Sequence, residues 1–133
     1  ANYLMQWLVA FLFTQAVEIP IYLAVMQRQR VEASWGSRAL IAFGATAFTH
    51  PIVWFVLPLT IPLFTKLGIG LGVSAPQVFG FWGYVAIAET FAVVAEAFYL
   101  RAFEIKRPLL WAFVANGASA GIGLTFRHFF GWP

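Results

Sequence analysis

The sequence predicts an all-α integral membrane protein, a single domain in which four transmembrane helices form an up-down bundle. Its composition is the first reason, since 62% of the 133 residues are hydrophobic and 10% are charged. The second reason is that the apolar residues fall into four runs, at about residues 3–26, 39–64, 79–103 and 109–130. Each run reaches the roughly 20 residues that a helix needs to cross a hydrocarbon core about 30 Å thick. Helices satisfy their backbone hydrogen bonds within one segment, as lipid requires.

Basic residues are concentrated in two of the three connections between the runs. The second connection contains Lys66 alone and is otherwise apolar and rich in glycine. Because positively charged connections stay in the cytoplasm, we expect both termini on the outer side of the membrane. The six basic residues of the first and third connections are Arg28, Arg30, Arg38, Arg101, Lys106 and Arg107.

Several classes of function are excluded or disfavoured by composition. The formal net charge of +3 comes from residues between apolar runs, so topology explains it better than a nucleic-acid partner does. The chain has no Cys, which excludes disulfides and thiolate metal sites. It also has no Asp, so a Ser-His-Asp hydrolase is excluded. Gly68, Gly70 and Gly72 precede no Lys-Ser or Lys-Thr and predict a flexible, membrane-dipping loop rather than a phosphate loop.

Polar side chains inside the runs are the candidate functional residues. An ionisable group at membrane depth costs about 2.5–3.5 kcal/mol on insertion scales, so it faces the interior of the bundle. At about 1.5 Å per residue, these groups all lie about 8–18 Å from the basic ends of their helices. We therefore predict one polar cluster in the cytoplasmic half, more open toward the cytoplasm than toward the outside. Its proposed members are Glu18, His50, Glu89, Glu96 and Asn116.

Hydroxyl groups and prolines accompany these residues. Pro20 and Pro51 should free the carbonyls of Ala16 and Ala47, which then need a water, a hydroxyl or a cation as partner. Helical spacing of three or four residues places hydroxyls on the same faces as the ionisable groups. The residues so placed are Thr14 with Glu18, Thr46 with His50, and Ser119 with Asn116.

The chemistry of the cluster has three interpretations. Carboxylates with an imidazole and an amide suit a divalent metal ion such as iron, manganese or zinc, although the Glu-x-x-His spacing of di-metal bundles is absent from every run. Without a metal, the same carboxyl and imidazole groups could accept and release protons. In the third interpretation, the polar groups serve only to hydrogen-bond the helices to one another.

Four segments carry a resemblance to small, uncharacterised prokaryotic four-span membrane proteins. They are Val17-Glu18-Ile19-Pro20, Thr49-His50-Pro51, Ala88-Glu89 with Glu96-Ala97, and Ala115-Asn116 with Ser119. The resemblance implies a prokaryotic inner membrane and no established activity. A Glu in the first of four spans is also similar to the small multidrug resistance transporters, which work as antiparallel dimers. This chain departs from them by two Glu in its third run, a His in its second and long connections, so their function is not carried over.

Two functions from different classes follow. The first is binding of a cation or proton within the membrane for transport or ion coupling, in a homo-oligomer, because four helices hardly form an alternating-access transporter alone. The second is an accessory, structural subunit that packs against other membrane subunits. An enzyme acting on lipid is less favoured than either. The partners expected are the lipid bilayer and other membrane chains, with no nucleic acid.

Overall fold

The chain folds as four long helices. The computed structural model describes residues 2–60 and 81–131, and every regular element in these ranges is helical. Helix α1 covers Tyr3–Arg28; α2 covers Trp35–Pro51 and continues through a π-helical turn at Ile52–Val56 to Thr60; α3 covers Phe81–Ala102; α4 covers Pro108–Phe130. All four are long and apolar enough to cross a membrane, which confirms the predicted fold at this level. The glycine-rich connection predicted to dip into the membrane lies outside the described residues.

Capping groups explain where the helices begin and end. The side chain of Asn2 accepts a hydrogen bond from the Leu4 N–H at 2.9 Å, and Ser34 Oγ accepts one from the Ser37 N–H at 3.2 Å. Both satisfy backbone donors that a first helical turn leaves free. Pro108 lies at the start of α4, where its missing N–H costs nothing. Gly131 ends α4 with a φ of 64°, a conformation that glycine adopts without steric penalty.

The helices pack in a ring in which each has its main contacts with two neighbours. Helix α1 packs between α2 and α4, and α3 packs between the same two helices on the opposite side. The Tyr3 hydroxyl at the start of α1 donates to the Trp54 carbonyl near the end of α2 at 2.7 Å, so these helices run antiparallel. We call the end that holds Tyr3, Trp54 and the last turn of α4 the terminal end. The connection end holds residues 29–34 and 103–107.

A side-chain clamp joins the first and third connections. The Gln29 amide donates to the Lys106 carbonyl at 2.9 Å and accepts from the Lys106 N–H at 2.8 Å. These two bonds satisfy the backbone N–H and carbonyl of Lys106 in the third connection. Arg30, Glu104 and Arg107 take left-handed backbone conformations with φ of 55°, 60° and 55°, which turn the chain sharply between helices. The clamp therefore fixes how α1 meets the α3–α4 hairpin.

The apolar core lies toward the connection end. Met26 and Leu100 are fully buried there, and Val25 and Ile105 are each 4% exposed. Helices α2 and α3 approach closely at Gly44, where an added Cβ would collide with the Tyr99 hydroxyl. That hydroxyl donates to the Ile41 carbonyl at 2.9 Å. Glycine at position 44 thus permits the contact that brings α3 against α2, and the core closes the bundle beneath the polar residues.

The π-helical turn of α2 follows Pro51 and is held by tyrosines from two other helices. The Tyr3 hydroxyl bonds to the Trp54 carbonyl at 2.7 Å, and the Tyr84 hydroxyl of α3 bonds to the Val53 carbonyl. Such turns depart from the regular i→i−4 ladder and are frequent beside functional sites. This one begins two residues after His50.

Candidate functional site

Two buried carboxyl groups meet in the middle of the bundle. Glu18 of α1 and Glu96 of α3 are both 0% exposed. Their carboxyl groups lie within hydrogen-bonding reach of each other. We call Glu18 and Glu96 the carboxyl pair. Because α1 and α3 face each other across the ring of helices, the pair lies at the centre of the bundle.

Hydroxyl groups from three helices surround the pair. Ser119 of α4 donates to Glu18 Oε1 at 2.7 Å, and Thr46 of α2 donates to Glu18 Oε2. Tyr22, one turn after Glu18 in α1, donates to Glu96 Oε1 at 3.1 Å. The fourth oxygen, Glu96 Oε2, receives no hydrogen bond from the residues that the structure describes. Three of the four carboxyl oxygens therefore have a donor.

The Asn116 amide borders the carboxyl of Glu96. Asn116 is 5% exposed, and its Nδ2 donates to the Ala112 carbonyl one turn earlier at 2.9 Å. That bond fixes the amide against α4. The small side chain of Ala112, itself fully buried, lets α4 bring the amide this close to α3.

The pair has no compensating cation within the described part of the chain. Neither Glu18 nor Glu96 forms an ion pair with a Lys, Arg or His there. A single ionised carboxylate is expensive to bury, and two adjacent ones repel each other as well. Three hydroxyl donors offset the cost of one negative charge. The arrangement therefore favours at least one proton or one positive charge at the pair.

An inner cavity borders Glu18, and an outer cavity shares six bordering residues with it. The inner cavity, of about 110 Å³, is bordered by Glu18, Thr46, Ser119 and Asn116. The outer cavity, of about 270 Å³, extends between α1 and α4 to Phe13, Phe126 and Arg127. The residues that border both are Thr14, His50, Trp54, Glu89, Ser119 and Ala120.

The direction of these cavities differs from the expectation of an opening toward the basic connections. Met26, Leu100 and Ile105 fill the bundle between the carboxyl pair and the connection end. The outer cavity instead reaches Arg127 in the last turn of α4, at the terminal end. Close packing of large apolar side chains against buried alanines produces the closure, and that packing could not be inferred from depth along each helix.

His50 lies beside the cavities within a group of aromatic rings. Its ring centroid is 5.5 Å from that of Phe11, 5.9 Å from that of Trp54 and 6.3 Å from that of Trp7. Its Nδ1 is buried and has no hydrogen-bond partner among residues 2–60 and 81–131. The imidazole therefore has one unused nitrogen close to a polar cavity.

The structure separates the five predicted residues into two groups. Glu18, Glu96 and Asn116 meet at the pair, whereas His50 and Glu89 border the cavities on its terminal side. Within the described ranges, no three His, Cys, Asp or Glu side chains are grouped so that they could hold a metal ion. The donor set around the pair, two carboxyls with hydroxyls and an amide, does not fit a three-ligand divalent metal centre.

Sequence reasoning missed Tyr22. The Tyr22 side chain is buried, with 1% of its surface exposed, and its hydroxyl donates to Glu96. The available signal was its position four residues after Glu18, which places both on one helical face. A tyrosine in an apolar run is more commonly interfacial, so that signal was weak.

Comparison with protein families, with curated proteins and with solved structures gives no match.

Proposed function

We propose that this chain is an integral membrane protein that binds a proton at the carboxyl pair and moves it through the two cavities, for transport or ion coupling. The observation that carries the proposal is the pair itself, two fully buried carboxyl groups in contact with hydroxyl donors on three of their four oxygens. A proton on Glu96 Oε2, the oxygen that has no donor, would give the two carboxyl groups a hydrogen to share. It would also reduce the charge of the pair from two to one.

A proton suits this geometry better than a metal ion. The carboxyl groups are within hydrogen-bonding reach of each other, which is the separation that a shared proton requires. Thr46 and Ser119 each place a hydroxyl group within hydrogen-bonding distance of a Glu18 oxygen, an arrangement that stabilises a carboxylate. On this proposal Glu18 holds the negative charge and Glu96 holds the proton.

The cavities supply a path for exchange of that proton. Glu89 and His50 border them between the pair and the terminal end, and both side chains can accept and release a proton. Helix insertion with the basic connections in the cytoplasm would turn the outer cavity toward the external face. Oligomer formation, partner subunits and the prokaryotic inner membrane stay predictions from the sequence.

The proposal predicts proton movement that depends on the pair. The protein is reconstituted in liposomes that contain a trapped pH-sensitive dye. A potassium gradient with valinomycin makes the interior of the liposomes electrically negative, which drives protons inward. We expect acidification above that of empty liposomes, and its reduction at least about tenfold in a Glu18→Gln, Glu96→Gln double variant. Glutamine keeps the size and one acceptor oxygen of each side chain but does not ionise. Glu32→Gln, in the exposed first connection, is the control and should match the wild type. Equal acidification by the wild type and the double variant would overturn the proposal.

A further inference from the structure

A second polar position lies on the outward face of the bundle, in a groove between α3 and α4. The groove, which we call the lateral groove, has a volume of about 640 Å³. Glu89 and Thr90 are its polar residues. Its apolar walls and small floor residues are Val93, Val94, Leu109, Leu110, Phe113, Gly117 and Ala120. In a bilayer this surface faces lipid.

Glu89 connects the groove with the interior. It borders the lateral groove and both internal cavities, so this residue lies between the outer face of the bundle and its interior. The neighbouring Thr90 hydroxyl is already used, because it donates to the Ala86 carbonyl at 2.7 Å. No described residue donates a hydrogen bond to Glu89 in this structure. The groove thus combines apolar walls with one carboxyl group that lacks a donor.

This combination selects the chemistry of an occupant. An anion would be repelled, and a plain hydrocarbon would leave the carboxyl without a partner in an apolar medium. A protonated amine provides donors and the opposite charge in a charge-assisted hydrogen bond. A neutral amine that meets a protonated carboxyl group gives the same ammonium–carboxylate pair by transfer of one proton. We propose that the lateral groove binds a compact lipophilic amine, with its nitrogen at Glu89.

The position of Glu89 argues for a compact ligand rather than a membrane lipid. Glu89 follows the first residue of α3 by eight positions, or about 12 Å along the helix axis. From there the groove runs toward Leu109 and Leu110 at the start of α4, at the connection end. A phospholipid amine is held at the membrane surface by its phosphate, so it would not reach a carboxyl group at this depth.

The glycines of α4 provide matched variants. A side chain at Gly117, in the floor of the groove, or at Gly121, outside it, would meet no atom within 4 Å at its Cβ. Both can therefore become leucine without a clash at the first side-chain atom. Gly117→Leu fills the lateral groove, whereas Gly121→Leu adds the same volume to an exposed part of the helix.

The test follows the Glu89 carboxyl carbon by NMR in protein labelled with ¹³C-glutamate and reconstituted in lipid. The signal is assigned by its loss in Glu89→Gln. The probe is 1-aminoadamantane, and 1-adamantanol is the neutral molecule of the same shape. We expect a saturable shift with the amine and none with the alcohol. Gly117→Leu should weaken the apparent affinity at least about tenfold, and Gly121→Leu should leave it unchanged.

Three results would overturn the inference: no saturable shift with the amine, an equal shift with the alcohol, or full amine binding in Gly117→Leu. A fourth result would also overturn it: the wild type does not bind the amine, and Gly117→Leu changes the oligomeric state. The lateral groove would then hold a second copy of the chain. The signals of Glu18 and Glu96 are observed in the same spectra. Failure at Glu89 is therefore distinguishable from failure of the proton site.

Discussion

Replacing Glu18 with alanine is expected to lower the free energy of unfolding by about 3–5 kcal/mol. The change removes the carboxylate acceptor of Thr46 and of Ser119, although the Ser119 hydroxyl keeps the Asn116 carbonyl as an acceptor at 3.1 Å. Each lost hydrogen bond to a charged group is worth about 1.5–3 kcal/mol. It also leaves a cavity at the centre of the bundle, where Glu18 is 0% exposed. The measurement is unfolding in mixed micelles with increasing dodecyl sulfate, followed by helical circular dichroism.

Two controls separate this effect from general damage. Glu18→Gln keeps the shape and one acceptor oxygen, so its cost should be about 1 kcal/mol. Glu32→Ala changes an exposed carboxyl group of the first connection and should stay within about 0.5 kcal/mol of the wild type. Equal stability of Glu18→Ala and Glu32→Ala would show that the carboxyl pair does not hold the four helices together.

Replacing Gly123 with leucine is expected to slow proton exchange at the carboxyl pair at least about tenfold, which corresponds to a barrier increase of about 1.4 kcal/mol. Gly123 borders the outer cavity. A Cβ added there would lie 3.6 Å from Phe13 Cε1, an ordinary van der Waals distance. The first side-chain atom of leucine therefore fits without a clash, and the remaining atoms add volume at the outer cavity. The rate is measured with a pH-sensitive dye after a rapid pH jump.

The cavity variant has a matched control on the same helix. Gly121→Leu lies on an exposed part of α4 and should exchange protons at the wild-type rate. Gly117→Leu, which fills the lateral groove, should also leave the rate unchanged. If Gly123→Leu and Gly121→Leu exchange equally fast, protons reach the pair by a route other than the outer cavity.

The helices could be predicted from sequence because a span needs only length and apolar composition. The observed helices α1 and α4 cover Tyr3–Arg28 and Pro108–Phe130, close to the predicted runs 3–26 and 109–130. The start of α2 was predicted at residue 39, whereas the helix begins at Trp35. Ser34 caps that helix five residues before the apolar run, and a cap depends on local hydrogen bonding that hydropathy does not register.

The site could be predicted less completely, because depth along a helix does not give the direction in which a side chain points. Depth placed Glu18, Glu96 and Asn116 at similar levels, and the structure brings them together. Depth along the helix could not show that Glu89 borders both a groove on the outside of the bundle and the interior cavities. It also could not show that Met26 and Leu100 close the connection end, since that closure depends on how all four helices pack.

The most direct test of the central claim is infrared spectroscopy of the protein in lipid at neutral pH, observing the C=O stretching band of protonated carboxyl groups. We predict a band from a protonated carboxyl group. Glu96→Gln and Glu18→Gln should each alter this band, because either change removes one of the two carboxyl groups that share the proton. Glu32→Gln should leave the band unaffected. A spectrum in which both pair variants keep the wild-type band would contradict the claim that Glu18 and Glu96 hold a proton between them.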